Sequence, residues 1–115
     1  MHIYIKNKLL TYGDYRIKCA IGKRGIAIKR KEGDLITPVG EFKIKSILYR
    51  KDNIYDIILI LNFNTNPVIK NKGSAIFIHI TTKNYNNTKG CVAIKKRELL
   101  KMIKSIKKNT KIIIM

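Results

Sequence analysis

Alternation is the feature that most limits what this chain can fold into. From Phe42 to Tyr49 the sequence runs Phe-Lys-Ile-Lys-Ser-Ile-Leu-Tyr, and similar Ile- and Tyr-rich runs occur at Ile3 to Ile5, Leu9 to Tyr12, Tyr15 to Ile21 and Ile26 to Arg30. A period of two with β-branched residues puts one apolar face on a pleated strand. Asn7, Gly13-Asp14 and Gly22-Lys-Arg-Gly25 punctuate these runs as tight turns. Tyr55 to Asn64 is apolar on both faces and is expected to be a central strand buried on two sides. A mostly β fold follows. One helix is expected, Lys95 to Lys108, because Leu99, Met102, Ile103 and Ile106 recur at helical spacing. Lys111 to Met115 should close the chain as a last strand.

At 115 residues and 45% hydrophobic content the chain is expected to form a single domain over residues 1–115 with a real core. Its formal charge of +18, from 25 Lys+Arg against 7 Asp+Glu, is extreme. Such a charge favours polyanions. The basic residues are nevertheless spread through every segment, without a dense block or interleaved aromatics, so no nucleic-acid partner is assigned. No run is long enough for a transmembrane helix, and the first residues show no signal-peptide pattern. Two cysteines and two histidines, in no metal-binding spacing, call for neither a metal nor any other cofactor.

The chemistry concentrates between Gly73 and Ala93. A strand from Ser74 to Ile80 carries His79 on the face of Ala75 and Phe77, a polar loop follows, and Thr88-Lys-Gly-Cys-Val-Ala returns the chain to apolar sequence. His79 and Cys91 stand 12 positions apart. A thiol with its own imidazole base is the minimum kit for a thiolate nucleophile. Lys89 adds positive charge beside it, and Gly90 permits a tight turn that aims backbone amides at one point, as an oxyanion hole requires. Spacing alone favours the plainer reading, a buried histidine at a strand end and an inert turn cysteine. Cys19, among apolar residues, is expected to be a buried, unreactive thiol.

Three stretches in order, Gly33-Asp-Leu-Ile-Thr-Pro-Val-Gly-Glu-Phe, Gly73-Ser-Ala-Ile-Phe-Ile-His and Thr88-Lys-Gly-Cys-Val-Ala, resemble the L,D-transpeptidase catalytic domain, or YkuD family, in its compact form with a short His-to-Cys loop. The resemblance implies an L,D-transpeptidase-like β-sandwich with one C-terminal amphipathic helix. It implies a bacterial enzyme of cell wall biogenesis that cross-links peptidoglycan stem peptides through a cysteine thioester, releasing D-alanine and passing the acyl group to an amine or, as a carboxypeptidase, to water. On that basis Cys91 is the nucleophile, His79 the base, and Gly90 an oxyanion donor with Cys91. Ser74, Thr88 and Lys89 fall at substrate-binding positions. A backbone carbonyl is expected to orient the imidazole. The resemblance further implies carbapenem-type inhibitors as ligands and a periplasmic or cell-envelope location, the absent signal pattern leaving the cytoplasm open.

Three positions depart from the family pattern. Lys89 stands where His or Arg is common, Ala93 where a polar or basic residue is common, and the stretch from Tyr49 to Tyr55 is short. A catalytically weak or inactive wall-binding domain is the alternative these departures and the +18 charge support. A basic nucleic-acid module is a more distant one.

Overall fold

The computed structural model describes residues 1–50, 56–63, 76–107 and 109–115, and of residues 49, 50 and 56 the backbone alone. Three short strands open the chain, β1 (Ile3–Lys6), β2 (Leu9–Tyr12) and β3 (Tyr15–Lys18). Two-residue strands β4 (Ile26–Ala27) and β5 (Thr37–Pro38) follow, then the long β6 (Gly40–Arg50) and β7 (Asp56–Leu61). The remainder is β8 (Phe77–Ile80), β9 (Val92–Ile94), helix α1 (Lys96–Ile103) and β10 (Lys111–Ile114).

Eight strands form one sheet in the order β3-β2-β1-β10-β6-β7-β8-β9, and β4 pairs with β5 separately. Most neighbours are antiparallel, but β1 pairs with β10 and β8 with β9 in parallel. The sheet curls until its two edges meet. Just beyond β3, Ala20 exchanges both backbone hydrogen bonds with Ala93 of β9, at 2.8 and 2.9 Å. Closure of this kind removes exposed edges. A single buried cluster draws on both halves, including Ile3, Ile5 and Leu10 from one and Leu59, Ile78 and Val92 from the other. α1 lays Leu99 and Met102 into the same core.

The periodicity is thus expressed as expected, with instructive differences. In β7, Ile57, Leu59 and Leu61 are buried while Ile58 and Ile60 are half-buried, so only one face is fully covered. The helix stops at Ile103 rather than Lys108. Ile106 still reaches the core because the chain turns there, its N–H and that of Ser105 both bonding to the Met102 carbonyl. The loop before Phe42 contains β5, and β6 begins at Gly40, where β10 supplies a partner. The connection across residues 51–55, and with it the shortness of the Tyr49 to Tyr55 stretch, lies outside the described residues.

Candidate active site

β8 and β9 lie side by side in parallel register, Ile78 opposite Val92 and His79 opposite Ala93. Ile78 and Val92 are fully buried and anchor the pair. Cys91 therefore precedes Val92 at the level of Phe77, one strand spacing across and two residues back from His79, about 6.6 Å along the strand direction. Both side chains line one open cleft of about 320 Å³, whose far wall is the loop of Thr82 and Asn86 to Lys89. On its other side Cys91 faces a second cleft of about 260 Å³, bounded by Lys29, Gly33, Ile76, Phe77 and Gly90. Lys89 is exposed and borders both clefts. Cys91 thus borders both openings.

His79 is half-buried, and its Nδ1 lies 3.0 Å from the backbone carbonyl of Ile80. A carbonyl only accepts, so Nδ1 carries the proton and Nε2 is the basic nitrogen. The local backbone sets the tautomer, as a carboxylate does in other cysteine and serine sites.

Thr88 shapes the turn. Its Oγ1 accepts from the Gly90 N–H at 3.1 Å and donates to the Cys91 carbonyl at 2.5 Å, while its own amide and carbonyl are held by Ile21 and Lys23. The Gly90 amide is therefore engaged inside the turn in this structure. Gly90 itself is required on two counts. Its φ is +142°, and a Cβ there would stand 2.8 Å from the Ile36 carbonyl oxygen. Ala93 is buried against Ala20 and bonded to it through both backbone groups, so that position closes the sheet. Ser74 lies outside the described residues.

Sequence reasoning missed what lies beneath the turn. The loop from Lys29 to Thr37 wraps around the Asp34 carboxylate, whose Oδ1 takes hydrogen bonds from Lys29 Nζ (2.6 Å) and the Ile36 N–H (3.2 Å). Oδ2 takes them from the N–H groups of Arg30 (3.0 Å) and Lys31 (3.3 Å). Lys29 Nζ also donates to the Ile36 carbonyl at 3.0 Å. The side chains of this ion pair are only 3% and 5% exposed. Burial works to raise the Asp34 carboxyl, but the ammonium and the three amides outweigh it and hold it well below the usual carboxylate range. In sequence, Gly33-Asp34 looks like any turn former; the one available signal was a lysine five positions ahead of it.

Burial is also the largest influence on Cys91 and raises its thiol above the ordinary value. Two groups oppose it, the Phe77 N–H, which donates to Sγ at 3.4 Å, and the positive charge of Lys29. Cys19 is fully buried without such help, and its thiol is pushed up to about 11. The two cysteines are thereby separated into an inert one and one that meets solvent-accessible clefts. Among the described residues, no group of three His, Cys, Asp or Glu side chains could hold a metal ion, and no helix is long and apolar enough to cross a membrane.

Fold and site together define a class, mostly β proteins that set a cysteine and a histidine on neighbouring strands of one curled sheet. The family model for the L,D-transpeptidase catalytic domain, YkuD, matches residues 1–114, and the chain belongs to that family. Among solved structures it is similar to Pgp2, the helical cell shape determining protein of Campylobacter jejuni in a single-residue mutant form, at 19% identity and a TM-score of 0.73 over 97% of this chain and 45% of that one. Bd1075 of Bdellovibrio bacteriovorus follows at 20% identity and 0.67, over 99% and 47%. An L,D-transpeptidase from Stackebrandtia nassauensis has 15% identity and 0.54, over 99% and 54%. At such identities the likeness is one of fold, and the chain spans about half the length of each of these proteins. No curated protein matches its sequence.

Proposed function

We propose that this chain is a cysteine acyltransferase of the bacterial cell envelope acting on peptidoglycan stem peptides. The observation that carries the reading is the position of Cys91 at the junction of two clefts, with His79 on the adjoining strand and its Nδ1 tied to a backbone carbonyl. His79 Nε2 takes the thiol proton as Sγ attacks the carbonyl joining an L-centre to a D-centre. The tetrahedral oxyanion draws on the backbone amide of Cys91 and on that of Gly90 once it exchanges Thr88 for the oxyanion. Collapse forms the thioester and breaks the peptide bond, and the imidazolium returns its proton to the departing amine of D-alanine. An amine of a second stem, or water, then attacks the thioester with His79 again as base and restores the thiol. Two openings onto one sulfur suit a donor on one side and an acceptor on the other. In this reading Lys89, which borders both clefts, meets carboxylates of either, and Ser74 and Thr88 are substrate-side positions.

Incubation with disaccharide-tetrapeptide, and separately with a carbapenem, followed by intact-mass analysis tests it. The wild type and Cys19→Ala should acquire an adduct and Cys91→Ala should not; equal labelling of Cys91→Ala would sink the reading. The product mass distinguishes transfer from hydrolysis.

A second reading, a weak or inactive wall-binding domain, draws on the engaged Gly90 amide and the raised Cys91 thiol. Retention on sacculi with stem-peptide masses unchanged between about pH 5 and 9, where a cysteine–histidine site should work, would favour it.

A further inference from the structure

A buried lysine is unusual enough to need a reason. Taking an ammonium and a carboxylate out of water carries a large desolvation penalty, and a surface pair closes a loop without it. Lys29 and Asp34 are nonetheless almost fully buried, and they lie directly under the Gly90–Cys91 turn: a Cβ on Gly90 would be 3.3 Å from Lys29 Nζ. The pair is also oriented. Asp34 is surrounded by three backbone amides on the loop side, while Lys29 borders the cleft that Cys91 faces. The positive end of the pair is therefore the end nearer the sulfur.

We propose that Lys29 is a positioning residue for the nucleophile: Asp34 and the Ile36 carbonyl fix its ammonium beneath the Gly90–Cys91 turn, and its charge favours the Cys91 thiolate over the thiol. Two features of the loop serve this placement. Its backbone is folded around Asp34 so that the carboxylate is satisfied before it meets Lys29, and Leu35 adopts a left-handed φ of +60° that brings the Ile36 carbonyl round to the ammonium. Other charged or titratable groups around Cys91 are Glu32 and Lys89 in the same cleft and His79 and Lys89 in the other. Lys89 is exposed to solvent, which screens its charge; Lys29 is not. The proposal rests on Cys91 as the nucleophile but not on any substrate.

The test is the pH profile of Cys91 alkylation by iodoacetamide, followed by peptide mass in the full chain. Lys29→Gln, which keeps a donor for Asp34, and Lys29→Met, which keeps length, should both shift the midpoint upward by about one pH unit and slow alkylation near pH 7 about tenfold. Lys29→Arg should restore the wild-type profile. A folded neutral variant with the wild-type midpoint overturns the proposal. A second measurement needs no change at Lys29: its ¹⁵N side-chain resonance in the wild type should move with Cys91 ionisation and lose that inflection in Cys91→Ser, and a resonance indifferent to Cys91 overturns it equally. A wild-type Cys91 that resists alkylation at every pH would instead count against the acyltransferase reading.

Discussion

Gly90 carries more constraint than its size suggests. Substitution by alanine meets a positive φ and a backbone oxygen at 2.8 Å together. Either the turn or the Ile36 carbonyl must yield, and Ile36 cannot move without disturbing Lys29 and Asp34. Gly90→Ala is expected to lose about 1–3 kcal/mol of stability, the usual cost of one residue held in a disfavoured backbone region. It should slow adduct formation more than tenfold, read by thermal melting alongside carbapenem labelling. Gly25, whose φ is also positive but which has open space around it, provides the contrast: Gly25→Ala should lower the melting temperature without changing the labelling rate of the protein that remains folded.

Among the elements, the Thr88 turn and the Lys29 to Thr37 loop decide whether the site exists. Thr88 joins the two strands' chemistry to the first half of the fold, through Ile21 and Lys23 on its backbone and Gly90 and Cys91 on its hydroxyl. Thr88→Val keeps shape but leaves the Gly90 amide and Cys91 carbonyl without the hydroxyl, a loss of about 1–3 kcal/mol. Acylation should fall with it, whereas Thr88→Ser should retain the wild-type rate; single-turnover labelling checks both. How much of this was legible in sequence follows the range of the interactions. His79 and the Thr88 to Cys91 turn lie within one strand–loop–strand unit, so local pattern marked them as candidates, and the resemblance to the family supplied their expected roles. The alternating strands were legible for the same reason. β5 was not, because two residues carry no period, and the run expected from Ile26 to Arg30 is a strand only over Ile26–Ala27, where Thr37 and Pro38 pair with it. The Lys29–Asp34 pair was hidden for a different reason: many sequences put lysine and aspartate near a turn, and only tertiary burial separates a solvated pair from this one. The helix was overextended because Ile106 satisfies the apolar period while reaching the core through a turn.

For the molecule as a whole, burial of its thiols and the ammonium and amides around Asp34 set the pH limits of stability. Below pH 9 the Cys19 thiol is protonated in both folded and unfolded chains; between 9 and about 11 the unfolded chain releases a proton that the folded one keeps. Stability therefore falls across that window, by about 2–3 kcal/mol for two pH units of difference, and Cys91 acts in the same direction. At the acid end the sign reverses, since Asp34 stays ionised in the folded protein below the pH at which the unfolded chain takes up the proton. Urea midpoints should be level from about pH 5 to 8.5 and decline on both sides. Cys19→Ala should flatten the alkaline arm, leaving the contribution of Cys91, and an unchanged arm would refute the assignment.

The place of β10 has a temporal consequence. It follows β1 to β9 in sequence, yet it lies inside the sheet, between β1 and β6. Until it pairs with both, the sheet is open between β1 and β6, and joining β1 to β10 closes a loop that runs from Ile3 to Ile112. Closure of the sheet thus waits on a strand that lies beyond Cys91 in sequence, so the setting of that thiol is completed only once β10 has been made.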